Sequence, residues 1–100
     1  MQISMTFRHM QATDAIKELV EEKVSKVKKY VHGPIDASVV LSAERYLHTC
    51  DVTISAAGHT YKGHETTEDL YASIDKVMEK IERQIDKHKG RMRANRSSSP

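Results

Sequence analysis

One hundred residues suit a single domain, whose core should bury roughly 60–70% of the unfolded surface, and leave no room for a second. The longest apolar run, Val39-Val40-Leu41, is far short of a membrane span, Met1-Gln2-Ile3-Ser4 lacks the parts of a secretory signal, and the lone Cys50 has no internal disulfide partner; a cytoplasmic protein without membrane contact is expected. Sixteen lysines and arginines against 14 acids give a formal charge of only +2, while Phe7, four tyrosines and no tryptophan offer few platforms for base stacking, so a nucleic-acid binder of this composition would work through phosphates and shape.

From the N-terminus, Ile3, Met5 and Phe7 alternate with Gln2, Ser4 and Thr6, the period-two mark of a half-buried strand over Met1 to Phe7. After a connection, Thr13 is placed to cap a helix with Asp14 in its first turn. Ile16, Leu19, Val20, Val24, Val27 and Val31 recur at helical spacing, so that helix is expected to reach about Tyr30 before Gly33-Pro34 ends it. Ala37, Val39, Leu41 and Ala43 form the inward set of a second strand, Ile35 to Ala43. A turn near Arg45 to Leu47 leads to a third strand through Cys50, Val52, Ile54 and Ala56, closed by Ala57-Gly58. His59 to Glu65 reads as a weaker fourth strand. The last helix begins at Leu70 with Thr67 as its expected N-cap, and past Gly90 the run Arg91 to Pro100 reads as a basic, serine-rich flexible tail. The order β-α-β-β-β-α predicts an α+β fold: a four-stranded sheet with both helices side by side on one face.

The last helix carries the strongest functional signal. At about 100° per residue, Leu70, Ile74, Val77, Met78, Ile81 and Ile85 share one arc, Lys76, Lys80, Arg83, Lys87 and Arg91 a second, and Asp75, Glu79, Glu82 and Asp86 a third. An ordinary surface helix mixes its charges so that acid meets base at i,i+4, whereas these bases are gathered into an arc of roughly 80°. On the first helix Lys23, Lys26 and Lys29 border the apolar stripe. With the helices adjacent, these lysines are expected to face Lys80, Arg83 and Lys87 across a positive groove suited to a phosphate backbone. A solvated charged face, with acids pairing some of the bases, is the plain alternative.

Other chemistry is poorly supported. His48, Cys50, His59 and His64 do not reproduce a zinc-ligand spacing, so no metal or other cofactor is expected. Glycines 33, 58, 63 and 90 stand alone and make no phosphate loop. Cys50 and the serines have no base and orienting group at a recognisable spacing, so neither an enzyme nor a small-molecule substrate is expected.

Several segments are familiar in combination: Asp69-Leu70-Tyr71-Ala72-Ser73-Ile74-Asp75, Lys80-Ile81-Glu82-Arg83-Gln84-Ile85-Asp86-Lys87-His88-Lys89, Met1-Gln2-Ile3, Arg8-His9, Thr13-Asp14-Ala15, Lys29-Tyr30, Ala37 to Leu41, Glu44-Arg45 and His48. With them the chain resembles, over residues 1 to about 90, the ribosome hibernation promoting factors, the family that includes ribosome-associated inhibitor protein Y. The resemblance implies a ribosome-binding domain over 1–90 that occupies the decoding channel of the small (30S) subunit, contacts 16S rRNA and excludes mRNA and tRNA in stationary or stressed cells. Whole (70S) ribosomes and ribosome dimers are the wider partners it implies. By the same resemblance Lys23, Lys26, Lys29, Lys76, Lys80, Arg83, Lys87 and Arg91 are the rRNA-binding residues, while Tyr71 and Asp75 shape the helix. Long members carry a second domain that pairs ribosomes; none is seen within these 100 residues, which fits either the short form or the N-terminal domain of a long one. A general structured-RNA module and a protein-interaction module using the open sheet face or an edge strand are the alternatives.

Overall fold

The computed structural model describes the backbone of residues 1–97 and the side chains of residues 1–89. The elements run β1 (Gln2–Arg8), α1 (Asp14–Ser25), a 3-10 turn (Lys26–Lys29), β2 (Ile35–Glu44), β3 (Leu47–Ala56), β4 (His59–Thr67) and α2 (Leu70–Ser97). The sheet order is β1-β2-β3-β4. Because α1 returns the chain to the start of the sheet, β1 and β2 are parallel, with Met5 opposite Val39. The hairpins β2-β3 and β3-β4 are antiparallel, placing Leu41 opposite Cys50 and Cys50 opposite Glu65. At Ala57-Gly58 both residues have positive φ (52° and 75°), the geometry of a type I′ hairpin turn.

Alternation along each strand sends Ala37, Val39, Leu41, Cys50, Val52, Ile54 and Tyr61 to one face, where they meet Val20, Val24 and Val27 of the first helical segment and Ile74, Val77, Ile81 and Ile85 of α2 in one continuous core. The expected α+β architecture, with both helices on one sheet face, is thus the observed one. Each fully buried branched side chain of this set contributes about 1.5–3 kcal/mol relative to exposure. Gly63, on the helix-facing side of β4, lets α2 settle closely on the sheet: a Cβ there would lie 3.2 Å from Val77 Cγ1 and 3.3 Å from the Val77 carbonyl oxygen.

Helix boundaries differ from expectation in three places. Thr13 caps α1 as expected, its Oγ1 accepting from the Ile16 N–H at 3.2 Å, but the α-helix stops at Ser25 and tightens into the 3-10 turn, where the Tyr30 N–H bonds the Val27 carbonyl. Asp69, not Thr67, caps α2, because its Oδ1 accepts from the Tyr71 N–H at 3.1 Å. Thr67 Oγ1 instead lies 2.8 Å from Ser73 Oγ, whose hydroxyl donates to the His48 carbonyl, so this network ties α2 to β3 and β4. Finally, α2 continues through Gly90 to Ser97. One glycine costs a helix only about 1 kcal/mol, and Arg91, Met92, Arg93 and Ala94 favour helix; residues 98–100 of the expected tail lie outside the described residues.

Candidate nucleic-acid interface

Seated on the sheet by its apolar arc, α2 has two flanks, and they face different neighbours. The acidic flank faces α1: Lys23 Nζ lies 3.0 Å from Asp75 Oδ1. The groove between the helices is lined by Lys23, Lys26, Asp75, Met78, Glu79 and Glu82. The expected positive groove between Lys23, Lys26 and Lys29 on one wall and Lys80, Arg83 and Lys87 on the other is therefore not formed. Bases of α1 meet acids of α2, an arrangement that avoids packing like charges together. The hydrogen bond to Asp75, and then its charge, raises the Lys23 pKa above the ordinary 10.5. Lys29 is exposed at the end of the 3-10 turn and does not line this groove.

The basic flank faces the other way, over the free edge of β4. Lys80 reaches that edge, its Nζ 2.6 Å from Glu65 Oε1 and 3.4 Å from the His64 carbonyl oxygen. One turn on, Gln84 clasps the Lys62 backbone, accepting from its N–H at 3.1 Å and donating to its carbonyl. The hydrogen bond from Lys80 lowers the Glu65 pKa below 4.5, with the charges of Lys80 and Lys76 acting the same way. Arg83 is 73% exposed and only loosely paired with Glu79 at 3.9 Å. Lys76 and Lys87 are exposed, and among the described residues neither forms an ion pair. Lys76, Lys80, Arg83 and Lys87 thus make a continuous basic ridge on the outer side of α2. Arg91 lies further along the same helix, its side chain outside the described residues.

The eight residues expected to touch RNA therefore divide into an outer ridge, a charge-compensated groove pair (Lys23 and Lys26), the separate Lys29, and Arg91. Glu65 and Gln84 escaped the sequence reading as parts of the surface. The available signal was Glu65's place on the helix-facing side of β4, opposite the core residue Cys50.

Burial pushes the Cys50 thiol up to about 12, so it stays protonated and a poor nucleophile. Asp51 and His64 pair across β3 and β4 on the open face. His59 stacks on His88 with ring centroids 4.3 Å apart, beside the buried Tyr61. No group of three or more metal-ligating side chains occurs among the described residues. Among the described residues no helix is long and apolar enough to cross a membrane.

The Ribosomal_S30AE family model, described as sigma 54 modulation protein / S30EA ribosomal protein, matches residues 3–93. The chain is 32% identical over 93 residues to the ribosome hibernation promoting factor of Escherichia coli K12, covering 93% of this chain and 98% of that protein. It is 37% identical over 87 residues to the ribosome hibernation promotion factor of Lactococcus lactis, covering 84% of this chain and 47% of that longer protein. Among solved structures, the Protein Y N-terminal domain of Thermus thermophilus superposes with a TM-score of 0.82 at 29% identity, covering 88% of this chain and 99% of that one. The names of the two curated relatives are those of ribosome hibernation factors. With its family match, its identity to the E. coli protein over nearly all of both chains and its β-α-β-β-β-α fold all in agreement, the chain belongs to the S30EA ribosomal protein family of ribosome hibernation promoting factors.

Proposed function

We propose that this protein is a cytoplasmic ribosome hibernation factor that binds the small (30S) subunit in its decoding channel, lays the outer flank of α2 against 16S rRNA and thereby excludes mRNA and tRNA during stationary phase or stress. The single observation that carries the reading is the ridge of Lys76, Lys80, Arg83 and Lys87, arrayed along one side of a helix whose Asp75, Glu79 and Glu82 line the groove with α1. Each phosphate a ridge cation neutralises releases condensed counterions, giving affinity without sequence readout. A rigid fold presenting that row competes with RNA ligands of the channel by occupancy and requires no chemical step. The names of the E. coli and L. lactis relatives support the hibernation role.

Residues 1–90 form the ribosome-binding domain in this reading, with Arg91 extending the ridge and Lys23, Lys26 and Lys29 making secondary contacts. Whole ribosomes and their dimers are the wider assemblies it joins. Co-sedimentation with 30S subunits and 70S ribosomes through sucrose tests the proposal: stoichiometric binding at low salt that is lost at high salt is expected. If about six cations meet phosphates, the log–log salt slope should lie near −4 to −5. Failure to bind 30S or 70S particles at low salt would overturn the reading.

A further inference from the structure

Lys80 sits in the middle of the ridge, yet its charge is already engaged. Glu65 reaches it from β4 at 2.6 Å, and the His64 carbonyl takes a second position on the same ammonium at 3.4 Å. The Glu65 side chain is 23% exposed and the Lys80 side chain 48%, so the acid is the more sheltered partner and the lysine the one open to solvent. A carboxylate holding a lysine on a phosphate-binding surface occupies the position that a phosphate oxygen would otherwise take. Lys76 also acts on Glu65, because its charge helps to lower that carboxyl's pKa.

We propose that Glu65 is an internal competitor for the phosphate that Lys80 binds, so that affinity for RNA is tuned down by an exchange at this lysine. The inference rests on the ridge reading above and names a residue that sets its strength. Binding requires Lys80 to move its ammonium from a carboxylate to a phosphate, and release returns it to a partner already in place. The ridge is thereby suited to an occupant that must leave again, since the departing phosphate is replaced by an anion carried on the protein itself.

The test is Glu65→Gln in the full chain, with 30S affinity measured across a range of potassium chloride concentrations. Loss of the competing charge is expected to tighten binding about three- to tenfold at low salt with the log–log salt slope nearly unchanged, because Lys80 meets a phosphate in both complexes. In a Lys80→Gln background the same change is expected to give little or no gain, because the effect acts through that lysine. Unchanged or weaker binding of Glu65→Gln would show that the carboxylate is inert or positions Lys80 for RNA, and would overturn the proposal. A gain that persists undiminished without Lys80 would also overturn it, by assigning the effect to repulsion between Glu65 and RNA. Lys80→Gln alone separates the two layers: if it leaves 30S binding untouched, the ridge reading itself fails. Glu65→Ala serves as a second variant should Gln at this position disturb folding, which thermal unfolding monitored by circular dichroism reports.

Discussion

The basic stripe of α1 (Lys23, Lys26) and the basic stripe of α2 (Lys76, Lys80, Arg83, Lys87) carry the same charge at helical spacing, and the structure uses them in opposite ways. On the α1 side, bases from one helix meet acids from the other, as in the Lys23–Asp75 pair, and the charges cancel locally. On the β4 side, the ridge runs along a sheet edge that offers it one carboxylate, Glu65. A count of lysines would rank the two stripes alike, with Lys23, Lys26 and Lys29 on one and Lys76, Lys80 and Lys87 on the other. What separates them is the neighbour each stripe was folded against, so a basic stripe acquires binding capacity only where its surroundings leave it uncompensated.

The largest test of that contrast is charge reversal on each side. Lys80→Glu, Arg83→Glu and Lys87→Glu together are expected to weaken 30S binding by about a hundredfold or more at low salt, whereas Lys23→Glu with Lys26→Glu is expected to cost less than about tenfold. Equal losses by sedimentation, with normal circular dichroism for both variants, would erase the distinction between flanks. Next in size is a disturbance of how α2 sits on β4. Gly63→Val would force side-chain atoms against Val77 and Ile81 and should destabilise the fold by about 1–3 kcal/mol in urea unfolding. Glu79→Ala, on the flank that lines the helix-helix groove, should leave the unfolding midpoint nearly unchanged; a similar loss at both sites would deny β4 its closer seat for the helix.

The smallest effect is electrostatic and sharpens the comparison pair by pair. Glu65 has its carboxyl pKa lowered by the Lys80 hydrogen bond, so the pair favours the folded state above the unfolded carboxyl pKa, and its contribution is lost as pH falls through the depressed folded value. Lys23 has its pKa raised by Asp75, so that pair favours folding below the unfolded lysine value, and its contribution is lost as pH rises through the folded value above 10.5. NMR titration should find the Glu65 carboxyl returning upward toward 4.5 in Lys80→Gln, and the Lys23 ammonium returning downward toward 10.5 in Asp75→Asn. An unmoved Glu65 titration in Lys80→Gln would dissolve the pair on which the β4 flank depends.

Much of the fold was legible in the residues because burial follows period. Alternation in Ala37-Val39-Leu41 and Cys50-Val52-Ile54 announced the covered sheet face, and Thr13 announced the start of α1. Asp69 was missed as a cap because Thr67 is equally suited by type, and the choice was settled by the Thr67–Ser73 contact between segments. The three stripes of α2 were also legible. Which stripe would face α1 was read the wrong way, as the basic one, although a physical signal existed: adjacent helices are favoured when a basic border meets an acidic one, and Lys23 had Asp75, Glu79 and Glu82 available opposite it. Glu65 could not be matched with Lys80 from local spacing, because fifteen positions and a change of secondary structure separate them.

Gln84 bears on the molecule's behaviour in a crowded cell. An edge strand is a template for another chain, since its outward N–H and carbonyl groups invite pairing. By clasping both backbone groups of Lys62, while Lys80 covers the His64 carbonyl, α2 fills the positions where a foreign strand would begin to pair on β4. The helix that carries the ridge is therefore also a guard against cross-chain sheet growth, and a substitution such as Gln84→Ala would expose β4 to aggregation without altering a single charge.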